Sequence, residues 1–144
     1  MPIPRLHSDY LPPGIYDCNL QEIRNSFGDT PRRIELVEKL EKYIQNVKNT
    51  GITGLLIING SFVTSNNNPN DIDVVFIIQG NYPPSGPITS QEYEVISPRI
   101  AHDKFDLHLF VRINANPNTN DMINFFSGIR GDPNFKKGLL RISV

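Results

Sequence analysis

The stretch LLIINGSFVTSNNNPNDIDVVFII, in the middle of the chain, constrains the fold more than any other segment. It holds two apolar runs that are separated by Gly60-Ser61 and a polar, Asn-rich loop. Short apolar runs bounded by turn residues are typical of buried strands. We therefore predict a strand over Gly54–Asn59 and an antiparallel neighbour over Asp73–Gln79.

Two helices are indicated before the first of these strands. The first follows Asn19, a good N-cap residue, and ends near Gly28. The second begins at Thr30-Pro31, because a hydroxyl cap followed by proline is a strong start signal, and it ends at Gly51. Helical spacing predicts a core-facing stripe formed by Ile34, Val37, Leu40, Ile44 and Val47.

Three further elements are expected in the second half of the chain. The segment Lys104–Arg112 alternates well enough for a third strand, with Asp106 and His108 on the face opposite its apolar residues. A short helix is predicted over Asp121–Ile129, and a last strand over Gly138–Val144. The pattern as a whole predicts an α/β (α+β) fold, a small mixed sheet with helices packed mainly on one face.

Length and composition indicate one compact domain over 1–144, with an extended N-terminal arm over 1–18. The chain has 144 residues, with 14 Lys and Arg against 15 Asp and Glu, so no basic excess indicates nucleic-acid binding. Its single cysteine, Cys18, cannot form an internal disulfide, which favours a reducing compartment. No apolar run approaches the roughly 20 residues of a membrane helix, and no signal pattern is present, so we expect a cytoplasmic protein without membrane partners.

Asp71 and Asp73 are the residues of the central stretch that point to chemistry. Positions i and i+2 of a strand share one face, so the two carboxylates project together beside the Gly-Ser turn. Carboxylates that close repel each other unless a cation lies between them. Mg²⁺ suits such ligands, because it usually takes one or two carboxylates together with substrate phosphates. The arrangement is typical of metal-dependent phosphoryl or nucleotidyl transfer.

Gly60-Ser61, a loop, and then Asp71-x-Asp73 at the head of an apolar strand resemble the signature of the DNA polymerase beta-like nucleotidyltransferase superfamily. The segments LPPGIYDCNLQEI, NGSFVTSNNNPNDIDV and KKGLLRI resemble a small, poorly characterised bacterial branch, a family with a domain of unknown function. The resemblance covers nearly the whole chain. It implies a minimal palm domain, in which Gly60 and Ser61 contact the nucleotide phosphates. It also implies that the Asp pair and a third carboxylate on a later strand hold two metal ions.

Asp106 is the best candidate for that third carboxylate, because it lies on a predicted neighbouring strand and opposes the strand's apolar face. Glu92, Glu94 and Asp103 are poorer candidates, since their segments are less regular. His108 shares the face of Asp106 and either orients it or is an ordinary hydrogen-bonded edge residue. The predicted catalytic and metal-binding residues are therefore Asp71, Asp73 and Asp106.

Each of these assignments has a structural alternative. Asn-Pro-Asn-Asp is a good turn sequence in its own right, which would explain Asp71. It does not explain Asp73, because a carboxylate inside IDVVFII is costly to bury without a partner. Many relatives carry an arginine soon after the Gly-Ser, and this loop has none. The sequence does not choose among the other cations that could meet a triphosphate, which are Lys104, Arg112, Arg130, Lys136 and Lys137.

The resemblance implies a Mg²⁺- or Mn²⁺-dependent enzyme that moves a nucleoside monophosphate from a nucleoside triphosphate to an acceptor. A chain of about palm size has little room for an acceptor domain. By analogy with small relatives, we expect a partner protein encoded nearby, in a toxin–antitoxin or phage-defence pair. The alternative is a catalytically inactive nucleotidyltransferase-fold binding protein that acts as an antitoxin or scaffold subunit.

Overall fold

The structure is a computed structural model that describes residues 3–6, 9–80, 86–113, 128–129 and 132–144. It is a mixed α/β fold. The helices of the described part are α1 (Leu20–Phe27), α2 (Pro31–Thr50), α3 (Ser90–Ile96) and α4 (Pro98–Phe105), and a 3₁₀ turn spans Ser61–Val63. The strands are β1 (Ile15–Asp17), β2 (Thr53–Asn59), β3 (Ile72–Gln79), β4 (Leu107–Ile113), β5 (Gly128–Ile129), β6 (Asp132–Lys136) and β7 (Leu139–Ser143).

The main sheet has five strands in the order β1-β7-β2-β3-β4. The central pair, β2 and β3, is antiparallel, as the two apolar runs of the sequence predict. β4 runs parallel to β3, and β7 runs antiparallel to β2. β1 adds a parallel edge strand beside β7, whereas β5 and β6 form a separate antiparallel pair.

Local capping sets the first two helices where the sequence predicts them. The Asn19 side chain accepts from the backbone N–H of Glu22 at 2.9 Å, and the Glu22 carboxylate accepts from the Asn19 N–H, which makes a capping box. The Thr30 hydroxyl accepts from the N–H of Arg33 at the start of α2. Gly51 ends α2 in the left-handed conformation at φ 80°.

The two faces of the sheet bury different partners. One face, which includes Leu56, Val74 and Phe76, shares a core with the buried residues of all four helices. The other face has a small apolar cluster drawn only from described strand residues, Ile57, Val75, Ile77 and Leu139. Within the described part of the chain, the helices therefore pack on one face, which confirms the predicted fold class.

The predicted core stripe of α2 is wrong at one position. Ile34 is 43% exposed, whereas Leu36, Tyr43 and even Arg33 are buried. Leu36 and Tyr43 lie seven residues apart, which places them on the stripe that already holds Leu40 and Val47. Ile34 lies outside that stripe, so the helix is rotated slightly relative to the prediction.

The segment on either side of β4 also differs from the prediction. α3 and α4 occupy a stretch that the sequence analysis left without elements, and α4 takes up Lys104 and Phe105. The third strand therefore begins at Leu107 rather than Lys104. The last strand is confirmed as β7. Of the helix predicted over 121–129, residues 121–127 lie outside the described residues, and Gly128–Ile129 are strand rather than helix.

The N-terminal arm is more than a surface segment. Leu11 is buried in the helix-side core, and Ile15–Asp17 form β1. Tyr10 forms a bridge with Thr64, so the arm also reaches the loop that follows Gly60. No helix in the described ranges combines the length and the apolar character needed to cross a membrane.

Candidate functional site

Gly60 and Asp73 are in direct contact at the end of the central strand pair. β2 ends at Asn59, which is paired with Asp73 in the antiparallel register. Gly60 then turns the chain at φ 84°, a conformation that favours glycine. A Cβ added at Gly60 would lie only 2.6 Å from Asp73 Oδ2. The glycine is therefore required so that the carboxylate can lie against the backbone just before Ser61.

Asp73 faces away from the helices. Its neighbours Ile72 and Val74 are in the helix-side core, so alternation along β3 directs Asp73 to the other face. His108 lies beside it in the parallel register with β4, and His108 Nδ1 is 3.3 Å from Asp73 Oδ1. Alternation in the sequence predicts that His108 shares a face with Asp106, but the partner of His108 in the structure is Asp73.

Burial and a neighbouring charge perturb the Asp73 carboxyl. Burial raises its pKa above the ordinary value of 3.8, and the negative charge of Asp71 raises it further. His108 and Lys137 act in the opposite direction without cancelling the rise. Asp71, directly before β3, is thus close enough to Asp73 for electrostatic repulsion, as the Asp-x-Asp pattern predicts.

The raised pKa of Asp73 makes its charged form a destabilising group in the absence of metal. Between pH 3.8 and the raised pKa the folded state binds more protons than the unfolded state, so stability falls as pH rises through this window. We expect Asp73→Asn to be at least as stable as wild type at pH 7 in EDTA. Its advantage should shrink as the pH falls towards 3.8. Urea denaturation across this range measures the difference, and an advantage that grows on acidification would contradict the prediction.

A cavity of about 660 Å³ opens beside Asp73. Hydroxyl and amide groups of the loop after Gly60 line one side of it, and the N-terminal arm lines another. The described lining residues are Asp9, Tyr10, Ser61, Thr64, Ser65, Asn66, Asp73 and Lys137. Its volume lies within the range of small-molecule sites, roughly 300–1,000 Å³. The cavity joins Ser61 and Asp73, two residues that the sequence analysis assigned to one site.

Arg33 shapes the loop that lines this cavity. Its guanidinium is buried, with the residue 2% exposed, and it donates to the backbone carbonyls of Phe62, Thr64 and Asn66. It also donates to the carbonyl of Phe27 at 3.3 Å. These bonds turn the loop carbonyls towards α2. Arg33 is not among the residues predicted from the sequence, although an arginine in the first turn of a helix opposes the helix dipole and therefore indicates another partner.

The Asp106 carboxylate is directed away from the other two predicted metal ligands, although the Asp106 backbone carbonyl accepts from the N–H of Ile72 at 3.1 Å. Asp106 is the C-cap residue of α4 in the left-handed conformation at φ 50°, and is not a strand residue. Its carboxylate accepts from Lys39 Nζ at 2.6 Å and from Arg32 at 3.3 Å, both on α2. The hydrogen bond from Lys39 is the main cause that lowers the pKa of Asp106. The left-handed turn thus sends the carboxylate to the helix side of the sheet, which is the physical reason why the predicted strand face is wrong.

The other acidic candidates also have partners elsewhere. Glu92 completes the capping box of α3, Glu94 pairs with Lys104, and Asp103 contacts His102. Within the described residues, no group of three or more His, Cys, Asp or Glu side chains is arranged to hold a metal ion. The predicted triad is therefore reduced to the pair Asp71 and Asp73 in this conformation.

This pair nevertheless fits one hard divalent cation. Asn59 is paired with Asp73 across β2 and β3, and it is 1% exposed. In the part of the chain that is described, neither its amide oxygen nor its amide nitrogen has a hydrogen-bond partner. An orphaned buried amide is costly, and an amide oxygen is an acceptable ligand for a hard cation. Asp71 and Asp73, with the Asn59 amide oxygen nearby, therefore suit one Mg²⁺ ion that completes its coordination shell with water and phosphate oxygens. They do not form a metal centre with three carboxylate ligands.

The fold and the site define a small mixed α/β domain with an acid-bearing cavity at the end of its central strands. The profile of a family of unknown function, DUF6932, matches residues 4–143. The chain belongs to this family. No curated protein and no solved structure matches it.

Proposed function

We propose that this protein is a Mg²⁺-dependent nucleotidyltransferase that transfers a nucleoside monophosphate from a nucleoside triphosphate to an acceptor. The observation that carries the proposal is the contact between Asp73 and Gly60, beside Asp71 and next to a cavity of about 660 Å³. The resemblance of this motif to the polymerase beta-like superfamily supports the reaction class. Mn²⁺ has similar ligand preferences and is expected to replace Mg²⁺.

The roles of the residues follow from their positions at the end of β2 and β3 and, for Ser61 and Asp73, in the cavity lining. Asp71 and Asp73 would hold the metal ion, which supplies neutralisation and alignment of the phosphates when it is bound. His108 orients the Asp73 carboxylate through its Nδ1 contact at 3.3 Å. Ser61 lines the cavity immediately after Gly60, so its hydroxyl is placed to donate to a phosphate oxygen.

The acceptor in this proposal is a hydroxyl group of a partner protein. The described residues form a five-stranded sheet with helices on one face, together with a two-stranded sheet. Small nucleotidyltransferases often act beside a partner in toxin–antitoxin or phage-defence pairs, and the proposal follows that analogy. The net charge of −1 gives no support for a nucleic-acid acceptor.

The test is mass spectrometry of the protein and of the product of its neighbouring gene after incubation with each nucleoside triphosphate and Mg²⁺ or Mn²⁺. We expect the partner to gain the mass of one nucleoside monophosphate with at least one nucleotide. An unchanged mass with all four nucleotides and both metals, from a partner that still binds, would reject the enzyme.

The second candidate function is a non-catalytic nucleotide-binding protein of the same fold, acting as an antitoxin or scaffold subunit. The position of Asp106 favours it, because the carboxylate is held by Lys39 and Arg32 rather than directed to Asp73. Binding of Mg²⁺-nucleotide by two carboxylates needs no further acidic residue, whereas nucleotidyl transfer with two metal ions does.

Asp106→Asn separates the two functions. Because the Asp106 carboxylate contacts α2, we expect this variant to keep an affinity for Mg²⁺-nucleotide within about threefold of wild type, or under about 1 kcal/mol. Calorimetric titration measures the affinity, and the mass assay measures transfer. Loss of transfer with retained binding would mean that Asp106 leaves Lys39 during the reaction. A loss of binding as large as that of Asp73→Asn would contradict the assignment of Asp106 to α2.

A further inference from the structure

A nucleotide in the cavity beside Asp73 needs a cation for its phosphates, and the sequence alone does not choose one. The structure separates the candidates. Lys104 pairs with Glu94 between α3 and α4, and Arg112 donates to the carbonyl of Val111. Arg130 and the side chain of Lys136 lie outside the described residues. Of the side chains described, Lys137 is the only cation that lines the cavity.

The backbone brings Lys137 to the same end of the sheet as Ser61. β7 is antiparallel to β2 with Leu140 opposite Ile58, so the residues just before β7 lie where β2 ends, and Ser61 and Lys137 line one cavity. The N-terminal arm fixes the chain here, since the N–H of Gly138 donates to the carbonyl of Leu11 at 3.0 Å. A Cβ at Gly138 would lie 2.4 Å from the carbonyl oxygen of Pro12, so the arm packs directly against this backbone. Lys137 is therefore presented from a tightly packed segment.

We propose that Lys137 is the phosphate-binding residue of this site, so that its ammonium group contacts the triphosphate that Ser61 and the Asp-bound metal also contact. The inference deepens the proposed function and rests on it for the identity of the ligand as a nucleoside triphosphate. A lysine ammonium is a compact point charge that suits phosphate oxygens.

The electrostatics of the cavity support this role. The described lining carries the carboxylates of Asp9 and Asp73 against the single ammonium of Lys137. Asp9 is occupied by the Ser65 hydroxyl, which donates to it at 2.7 Å. Burial lowers the pKa of Lys137, and the charge of Asp73 acts against that decrease. An incoming phosphate would relieve the same burial cost, because it supplies a second anion to a half-buried cation.

The test compares two probes, Mg²⁺ alone and Mg²⁺-tripolyphosphate, by calorimetric titration of the whole chain. We expect Lys137→Met to weaken Mg²⁺-tripolyphosphate binding at least about tenfold, or about 1.4 kcal/mol. It should leave the affinity for Mg²⁺ alone unchanged or slightly higher, since a neighbouring positive charge is removed. Lys137→Arg should keep most of the affinity, and Lys104→Met is the matched control with wild-type affinity. Thermal melts check that each variant is folded.

The outcomes distinguish this inference from the proposed function. A folded Lys137→Met that binds Mg²⁺-tripolyphosphate within twofold of wild type overturns the role of Lys137, even if nucleotide transfer is observed. A tenfold loss with no transfer to any acceptor keeps Lys137 as a phosphate-binding residue and rejects only the enzyme. Wild type that binds no Mg²⁺-tripolyphosphate, or an equal loss in Lys104→Met, also overturns the inference.

Discussion

Replacing Arg33 by methionine is expected to lower the free energy of unfolding by about 3–5 kcal/mol, through the loss of several hydrogen bonds to buried carbonyls. The guanidinium is buried between Phe27 and Phe62, and it donates to the carbonyls of Phe27 in α1 and of Phe62 just after the Gly-Ser turn. Methionine fills similar space but leaves these carbonyls without a donor, and each buried orphan costs about 1–3 kcal/mol. Urea denaturation measures the loss. The free energy of unfolding of Arg33→Lys should lie between those of wild type and Arg33→Met, because lysine keeps one charged donor group.

Arg24→Met is the matched control for this experiment. Arg24 on α1 is partly exposed, and its ion pair with Glu41 at 2.8 Å is open to solvent. Such a pair contributes about 0–1 kcal/mol. If Arg33→Met costs no more than Arg24→Met, the loop after Gly60 does not depend on the Arg33 guanidinium and is held by its contacts with Thr30, Arg32 and Asp9.

The parts of the fold that were predicted from the sequence are those whose signals are local. The side chains of Asn19 and Thr30 cap backbone N–H groups three residues further on, so a segment of four residues is enough to predict each helix start. The β2–β3 pair is similar, because two apolar runs flank one loop. Such elements need no knowledge of the rest of the chain.

The parts that were missed depend on distant contacts or on a single backbone angle. β1 forms because Ile15–Asp17 pair with β7, which lies more than a hundred residues further along the chain. α3 and α4 have seven and eight residues, so the helices that Thr89 and Ser97 cap are too short to show a clear helical stripe in the sequence. The left-handed angle at Asp106 ends α4 and reverses the face of one carboxylate, which alternation along KFDLHLFVR does not reveal.

The residues of the candidate site also fall into those predicted from local sequence and those that depend on distant contacts. Gly60, Ser61, Asp71 and Asp73 were identified from one continuous motif, and the structure brings them to the end of the central strands. Lys137 joins them only through the β2–β7 register, which the sequence does not define. Arg33 contributes from the helix side without lining the cavity, so no functional motif would include it.

Replacing Asp71 and Asp73 together by asparagine is expected to weaken Mg²⁺-dependent nucleotide binding at least about 100-fold, or about 3 kcal/mol, and to abolish transfer. The Asp73 carboxylate lies against Gly60, and the charge of Asp71 acts on Asp73. Asparagine keeps the shape of both side chains but removes the charges that neutralise a divalent cation. Calorimetric titration with Mg²⁺-nucleotide, repeated in EDTA, measures the metal-dependent part of the affinity.

The matched control also removes two carboxylates, but from exposed helix positions, in the variant Glu38→Gln with Asp103→Asn. This variant should bind Mg²⁺-nucleotide as tightly as wild type.

The repulsion between Asp71 and Asp73 gives the experiment a second readout, which is thermal stability. Because the two charges destabilise the folded state when no metal is bound, the double variant should melt no lower than wild type in EDTA. Mg²⁺ should raise the melting temperature of wild type but not that of the double variant. A double variant that unfolds at a much lower temperature in EDTA would make the pair a structural feature. Equal stabilisation of both proteins by Mg²⁺ would place the cation elsewhere, and the nucleotidyltransferase proposal would lose the observation that carries it.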